Sequence, residues 1–187
     1  MPIITISSII SLLLLCFILY KVKGKLTELL KDMSVMADAT DRSYSLSKTI
    51  FLFWTVIIFS SLFYLGIGYN DFPPLNSSTL ILLGIAAATA AAGAAVDNTQ
   101  SADPTVQRMQ DVEKTKGFLT DILSDQYGLS LSRCQTMGFN LIYGCVFIST
   151  VIAKHTFYLF TPETLTLLGI STGAYALLKI PENSSTK

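Results

Sequence analysis

The chain has 187 residues, with 13 Lys and Arg against 13 Asp and Glu, one His and no net charge. Hydrophobic residues make up 51% and charged residues 14%, with a mean hydropathy of +0.54, where an ordinary soluble domain carries about 25% charged residues. This balance excludes a soluble globular domain, a disordered tail and a nucleic-acid binder with a broad basic field, and it makes the lipid bilayer the first partner.

In chain order, five segments approach the ~20 apolar residues needed to cross a bilayer: Ile3–Tyr20, Thr49–Tyr69, Ser78–Val96, Thr136–Ala153 and Thr164–Leu178. None contains Asp, Glu, Lys, Arg or His, and the short last one leans on Tyr175 and Lys179 as interfacial anchors. The first lacks a basic leader and is followed by Lys21, Lys23 and Lys25, the pattern of a retained anchor and not of a cleaved signal. Leu15 is too bulky for lipoprotein cleavage before Cys16.

Twelve of the thirteen Lys and Arg residues fall on one side, between the spans or after the last of them, and Lys154 alone lies opposite. Because cytoplasmic loops retain positive charge, the predicted topology is N-terminus outside and C-terminus inside, with outer loops at Asn70–Ser77 and Lys154–Glu163.

An offset of 85 aligns Ser45–Ala94 with Ser130–Lys179 without a gap and gives 13 identities. The polar starts Ser45-Leu46-Ser47-Lys48 and Ser130-Leu131-Ser132-Arg133 match, as do Leu82-Leu83-Gly84-Ile85 and Leu167-Leu168-Gly169-Ile170. Both copies start inside, cross out and return, so this is a parallel repeat, for which an axis along the membrane normal is expected. The predicted fold is all-α: a polytopic transmembrane bundle of five spans, made of an anchor (1–20), a connector (21–44), a first hairpin (45–96), an amphipathic connector (97–129), a second hairpin (130–182) and a tail (183–187).

Within the first hairpin, Thr49–Tyr69 is bulky and suited to lipid. Ser78–Val96 has six strongly apolar residues amid Ala, so it inserts with only about −2 to −4 kcal/mol and needs protein neighbours. Gly84, Ala88 and Ala92, with Gly169 and Gly173 in the second copy, let helix backbones approach closely. Packing of the two hairpins within the chain is the first reading of these small faces, a subunit interface the second and a pore lining the third. Thr55 and Asn140 correspond across the repeat and read as interhelical polar links.

In the second connector, Asp103-Pro104 marks a helix start, and Val106, Met109, Val112, Phe118, Leu119, Ile122 and Leu123 recur at helical spacing. The expected amphipathic helix offers Val106, Met109, Val112, Leu119 and Ile122 to the membrane surface, the bundle or a cytoplasmic protein. Leu26, Leu29, Leu30, Met33 and Met36 make a weaker stripe in the first connector.

Cys16, Cys134 and Cys145 have no Cys-x-x-Cys spacing, and His155 has no second ligand nearby, so neither a metal nor another cofactor is expected. Phosphate-loop, nucleophile-elbow and His-Glu-x-x-His motifs are absent, and Ser43–Ser47 and Ser130–Ser132 read as helix caps beside basic anchors. No catalytic role is expected.

The repeated Ser-Leu-Ser-basic start, Gln135, the Leu-Leu-Gly-Ile endings and Gly117–Asp125 resemble a set of small, uncharacterised bacterial inner-membrane proteins over about residues 45–182. Those relatives carry a Trp early in both copies, whereas here Trp54 is matched by Phe139. The resemblance implies a bacterial inner membrane and a helical bundle, without an activity. The resulting expectation is a non-catalytic, self-associating anchor or sensor for a cytoplasmic partner, with no nucleic acid bound. The alternative is a pore-forming or permeability-altering effector of a bacterial defence or toxin system.

Overall fold

The structure, a computed structural model, describes residues 25–182 except 37, 71, 104, 105 and 107, together with Leu13. The anchor expected over residues 3–20, apart from Leu13, and the tail over 183–187 lie outside the described residues. The fold is mostly helical, at 72%. Its elements are α1 (Leu26–Leu29), a 3-10 turn (Ala39–Asp41), α2 (Leu46–Gly68), α3 (Ser77–Ser101), α4 (Met109–Val112), α5 (Phe118–Leu123), β1 (Ser124–Asp125), β2 (Gly128–Leu129), α6 (Leu131–Lys154) and α7 (Pro162–Glu182).

Three helices, α2, α3 and α6, are long and apolar enough to cross a membrane. The last predicted segment lies in α7, whose 21 residues include Glu163, Lys179 and Glu182, and it is not one of the three. Tyr175 and Lys179, expected at an interface, are only 2% and 3% exposed, because both turn into the bundle where ring and ammonium find partners.

The four long helices close a ring in the order α2, α3, α7, α6. Cross-links fix their directions. Trp54 meets Asn140, and Phe53 and Ile57 meet Gly144, so α2 and α6 run parallel. Ile85 meets Gly169 and Asp97 meets Lys179, so α3 and α7 run parallel too. A twofold through the bundle centre would place α2 diagonally from α6. The two hairpins instead lie side by side, α2 against α6 and α3 against α7, both running in one direction.

Several positions 85 residues apart take like conformations. Ser45 (φ −92°, ψ 123°) and Ser130 (φ −98°, ψ 120°) precede α2 and α6. The left-handed residues that end those helices, Asn70 and His155, have φ of 54° and 53°. Before α3, Asn76 Oδ1 accepts from the N–H of Thr79 at 2.8 Å, and before α7 Thr161 Oγ1 accepts from that of Thr164 at 3.3 Å.

The core centres on Trp54, fully buried, with Phe147 and Phe160 edge-on to its indole at 6.2 and 5.8 Å. Edge-to-face placement sets ring hydrogens on the electron-rich face and adds about 0.5–1.5 kcal/mol per pair beyond burial.

The second connector is not one amphipathic helix. Gly117 takes φ 106°, a conformation open to glycine, and separates α4 from α5. The Asp121 carboxylate accepts from the N–H groups of Tyr44 and Lys116 at 3.1 and 2.9 Å and from the Thr115 hydroxyl, which folds the segment back on itself. Among the described residues of the first connector, the four-residue α1 precedes the bridge that pairs Lys31 with Tyr44.

Candidate functional site

Charged side chains converge at the end of the bundle where α2 and α6 begin. Lys179 Nζ, on α7, donates to Asp97 Oδ2 on α3 at 3.0 Å and to Asp32 Oδ1 in the first connector at 3.3 Å. Asp97 is 1% exposed. Its second carboxylate oxygen accepts from Gln110 Nε2 at 2.8 Å, and its backbone carbonyl accepts from Arg108 Nη1 at 3.1 Å. Arg108 is itself buried and pairs with Asp111 at 2.6 Å. Asp111 then accepts from the N–H of Val35 at 2.9 Å, while Ser34 Oγ donates to Gln110 O at 2.6 Å.

This network uses one oxygen or nitrogen after another to tie α3, α7 and both connectors together. A buried charge is tolerable only when paired and hydrogen-bonded, and here each carboxylate oxygen of Asp97 has its donor.

Beside it, Lys31 Nζ lies 3.8 Å from the Tyr44 ring centre and donates to Arg42 O at 2.5 Å. Burial holds this ammonium below the ordinary lysine range, against the opposite pull of Asp121 and Asp41. The exposed Lys114 is moved the other way by its hydrogen bond and ion pair with Asp41. Arg133 sits 5.2 Å over the Tyr175 ring and donates to Asp121 O at 3.4 Å. Arg133 is therefore turned inward and not snorkelling. Ser45 and Ser130 bond the hydroxyls of Ser47 and Ser132, at 3.1 and 3.2 Å, and make no side-chain cap.

The cavity among Asp32, Tyr44, Gln110, Asp121, Arg133 and Lys179 measures about 40 Å³. One water needs about 10–15 Å³ of such space, so the site has room for a few waters. Among the described residues no three of His, Cys, Asp and Glu come together. His155 lies at the opposite end against Tyr69, at 3.9 Å between ring centres.

A polar chain also crosses the apolar middle. Trp54 Nε1 donates to Asn140 Oδ1 at 2.7 Å, Asn140 Nδ2 to Thr136 O at 2.8 Å, and Thr136 Oγ1 to Ser171 O at 3.0 Å, linking α2, α6 and α7. Thr55 does not join it; its hydroxyl donates to Phe51 O of its own helix at 2.8 Å.

Gly84, Ala88 and Ala92 lie on the exposed side of α3, so they do not join the hairpins within the chain. The buried side of α3 carries Leu82, Ala86, Thr89, Gly93 and Asp97 instead. Asp97 needs the donors that Gln110 and Lys179 supply, whereas Thr89 bonds Ile85 O of its own helix, and a Cβ on Gly93 would stand 3.0 Å from Ser47 Oγ. Gly169 and Gly173 are half-buried, and a Cβ on Gly169 would stand 3.7 Å from Ile85 Cδ1.

Of the connector residues, Ile122 is fully buried against the bundle, Val106 and Met109 are half-buried, and Val112 and Leu119 are 57% and 66% exposed. They do not form one face, because α4 and α5 are separate helices interrupted between Val112 and Phe118. The charge network itself was hidden from spacing arguments, since its members are separated by up to 147 residues. The available signal was that Asp97 and Lys179 each end a charge-free run. No protein family, curated protein or solved structure matches the chain.

Proposed function

We propose that the chain is a non-catalytic, multi-pass protein of the bacterial inner membrane, an oligomeric anchor or sensor that holds a cytoplasmic partner. The reading has five spans, an anchor helix followed by a duplicated hairpin, with the N-terminus outside and the charged end of the bundle in the cytoplasm. The matched conformations of Ser45 with Ser130 and of Asn70 with His155 support the duplication, and three long apolar helices support the membrane.

The observation that carries the functional part is the charged end itself. Buried ion pairs tie α7 to α3 and to the first connector, and hydrogen bonds from Arg108 and Gln110 to Asp97 hold the second connector, around a space of about 40 Å³. A rigid base with Val112 and Leu119 exposed is suited to hold a protein or to pass a displacement to the helices. Trp54, Phe147 and Phe160 pack ring against ring in the core of one chain, so an effector pore would form between copies.

The test is affinity purification of the tagged chain from native membranes in mild detergent. The expected product is a multimer carrying a cytoplasmic protein at fixed ratio, and Leu119→Asp with Val112→Asp releases that protein without dissolving the multimer. Recovery of a lone monomer with nothing bound overturns the reading.

A further inference from the structure

The outer side of the first hairpin carries an apolar groove between α2 and α3, with Phe51, Thr55, Phe59, Leu62, Leu83 and Gly84 along its walls. Adding 85 to these numbers gives Thr136, Asn140, Gly144, Phe147, Leu168 and Gly169. Those residues form the inner wall of the second hairpin, where Thr136, Asn140, Phe147 and Leu168 are at most 2% exposed. The second hairpin therefore has the same groove, and the first hairpin fills it.

The filling face can be followed in the same way. Phe53, Trp54, Ile57 and Ile85 enter the filled groove, and their counterparts on the second hairpin are Gly138, Phe139, Ile142 and Ile170. Ile142 and Ile170 are 58% and 66% exposed. Among the described residues the chain thus carries an unfilled groove on one flank and, with Phe139 half-buried against the core and Ile142 and Ile170 exposed, a partly open filling face on the other.

The two free faces are complementary pair by pair. Inside the chain the Phe53 ring occupies the space where Gly144 lacks a side chain. In the repeated contact Gly138 would face Phe59, the same large and small residues with sides exchanged. Inside, the Trp54 indole donates to Asn140. In the repeated contact Phe139, which has no donor, would face Thr55, whose hydroxyl is already bonded to Phe51 O. Inside, Ile85 packs on Gly169; outside, Ile170 would pack on Gly84, where a Cβ would meet nothing within 4 Å.

We propose that the α2/α3 groove of one copy receives the outer α6/α7 face of a second copy, so that the chain assembles head to tail through a repeat of its own internal interface. The proposal rests on the duplicated-hairpin membrane reading above and names the contact by which copies associate. Because both hairpins run in one direction, each added copy keeps the same orientation in the bilayer. Such a heterologous contact closes into a ring or runs on as a row, and it differs from a twofold dimer, in which a surface meets itself.

The experiment uses the full chain in its native membrane, with Cys16→Ala, Cys134→Ala and Cys145→Ala as background. Gly84→Cys and Ile170→Cys are introduced singly and together and treated with a short bis-maleimide. The double variant, or the two single variants co-expressed, is expected to give dimers, and the double variant a ladder of higher multiples, while neither single variant alone cross-links. Dimers of Gly84→Cys alone place the groove on a twofold axis and overturn the proposal. So does cross-linking of Gly84→Cys within one chain to a restored Cys16, which makes the residues before 25 the occupant. Both outcomes leave association and the membrane reading standing. Absence of cross-links in a chain that also runs as a monomer overturns the proposal and the association together.

Discussion

The indole N–H of Trp54 reaches Asn140 Oδ1 at 2.7 Å, across 86 residues of chain and between helices that begin the two hairpins. Both side chains are buried, with exposures of 0% and 2%. In Asn140→Leu the indole loses its acceptor, a cost of about 1–3 kcal/mol for an unpaired buried donor, though interhelical bonds within membranes average about 0.6 kcal/mol. Combining it with Trp54→Phe removes donor and acceptor together. The double variant is expected to be less destabilised than the sum of the single ones, measured by unfolding in mixed detergent. Strict additivity would mean that the bond contributes nothing beyond packing.

Lys179 is held by Asp97 and Asp32 with only 3% exposure. Lys179→Met leaves two carboxylates facing each other without their cation, and breaking a buried pair costs about 3–5 kcal/mol. The loss should appear first in the connectors. Hydrogen exchange is expected to speed up around Val35 and Gln110, whose bonds depend on the network, while the amides of mid-α6 keep their protection. Replacing Lys179 by Met and Asp97 by Leu together should restore part of the stability. Uniform loss of protection along every helix would instead make this cluster the keystone of the whole bundle.

Glycines of the long helices should differ sharply. A Cβ at Gly144 collides with the Phe53 ring, and one at Gly93 comes within 3.0 Å of Ser47 Oγ, whereas one at Gly84 meets nothing. Overpacking a tight helix contact costs about 1–3 kcal/mol. Gly144→Leu is expected to lower the thermal midpoint of the detergent-solubilised chain, with recovery on adding Phe53→Ala. Gly84→Leu should leave the midpoint of the isolated chain unchanged and weaken only its multimer. Equal destabilisation by both would contradict the described packing.

The helices themselves were legible, since charge-free apolar runs and the gapless offset lie in the sequence. Which side of each helix faces inward was not. Gly84, Ala88 and Ala92 have the spacing of a packing face, yet α3 turns Gly93 and Asp97 inward, because a buried carboxylate must reach Lys179 and Gln110. Periodicity also joined Met109 to Ile122 as one stripe. It registers side-chain polarity but not the φ of 106° at Gly117 or the three donors gathered by Asp121. Lys179 reads as an interfacial anchor until its carboxylate partners, one of them 147 residues away, are brought to it. Burial of a charge depends on distant residues, and local spacing carries no record of them.

The loops that end the two hairpins touch. Asn76 Nδ2 donates to Tyr158 O at 3.1 Å, and the N–H of Phe160 donates to Ser78 Oγ at 3.0 Å. These bonds cannot form if the loops lie on opposite sides of a bilayer, so membrane orientation and fold are tied to one measurement. In cells expressing the cysteine-free chain, Ser77→Cys and Thr156→Cys, each beyond the helix ends or at their margin, are expected to react with an impermeant maleimide added from outside. Glu113→Cys and Tyr127→Cys, at the charged end and exposed, should react only after the membrane is opened. Labelling of Ser77→Cys and Thr156→Cys from contrary sides would break both hydrogen bonds and with them the side-by-side arrangement of the hairpins. Labelling of all four from outside would place the buried charge network in the wrong compartment for a cytoplasmic partner, while leaving the bundle itself intact.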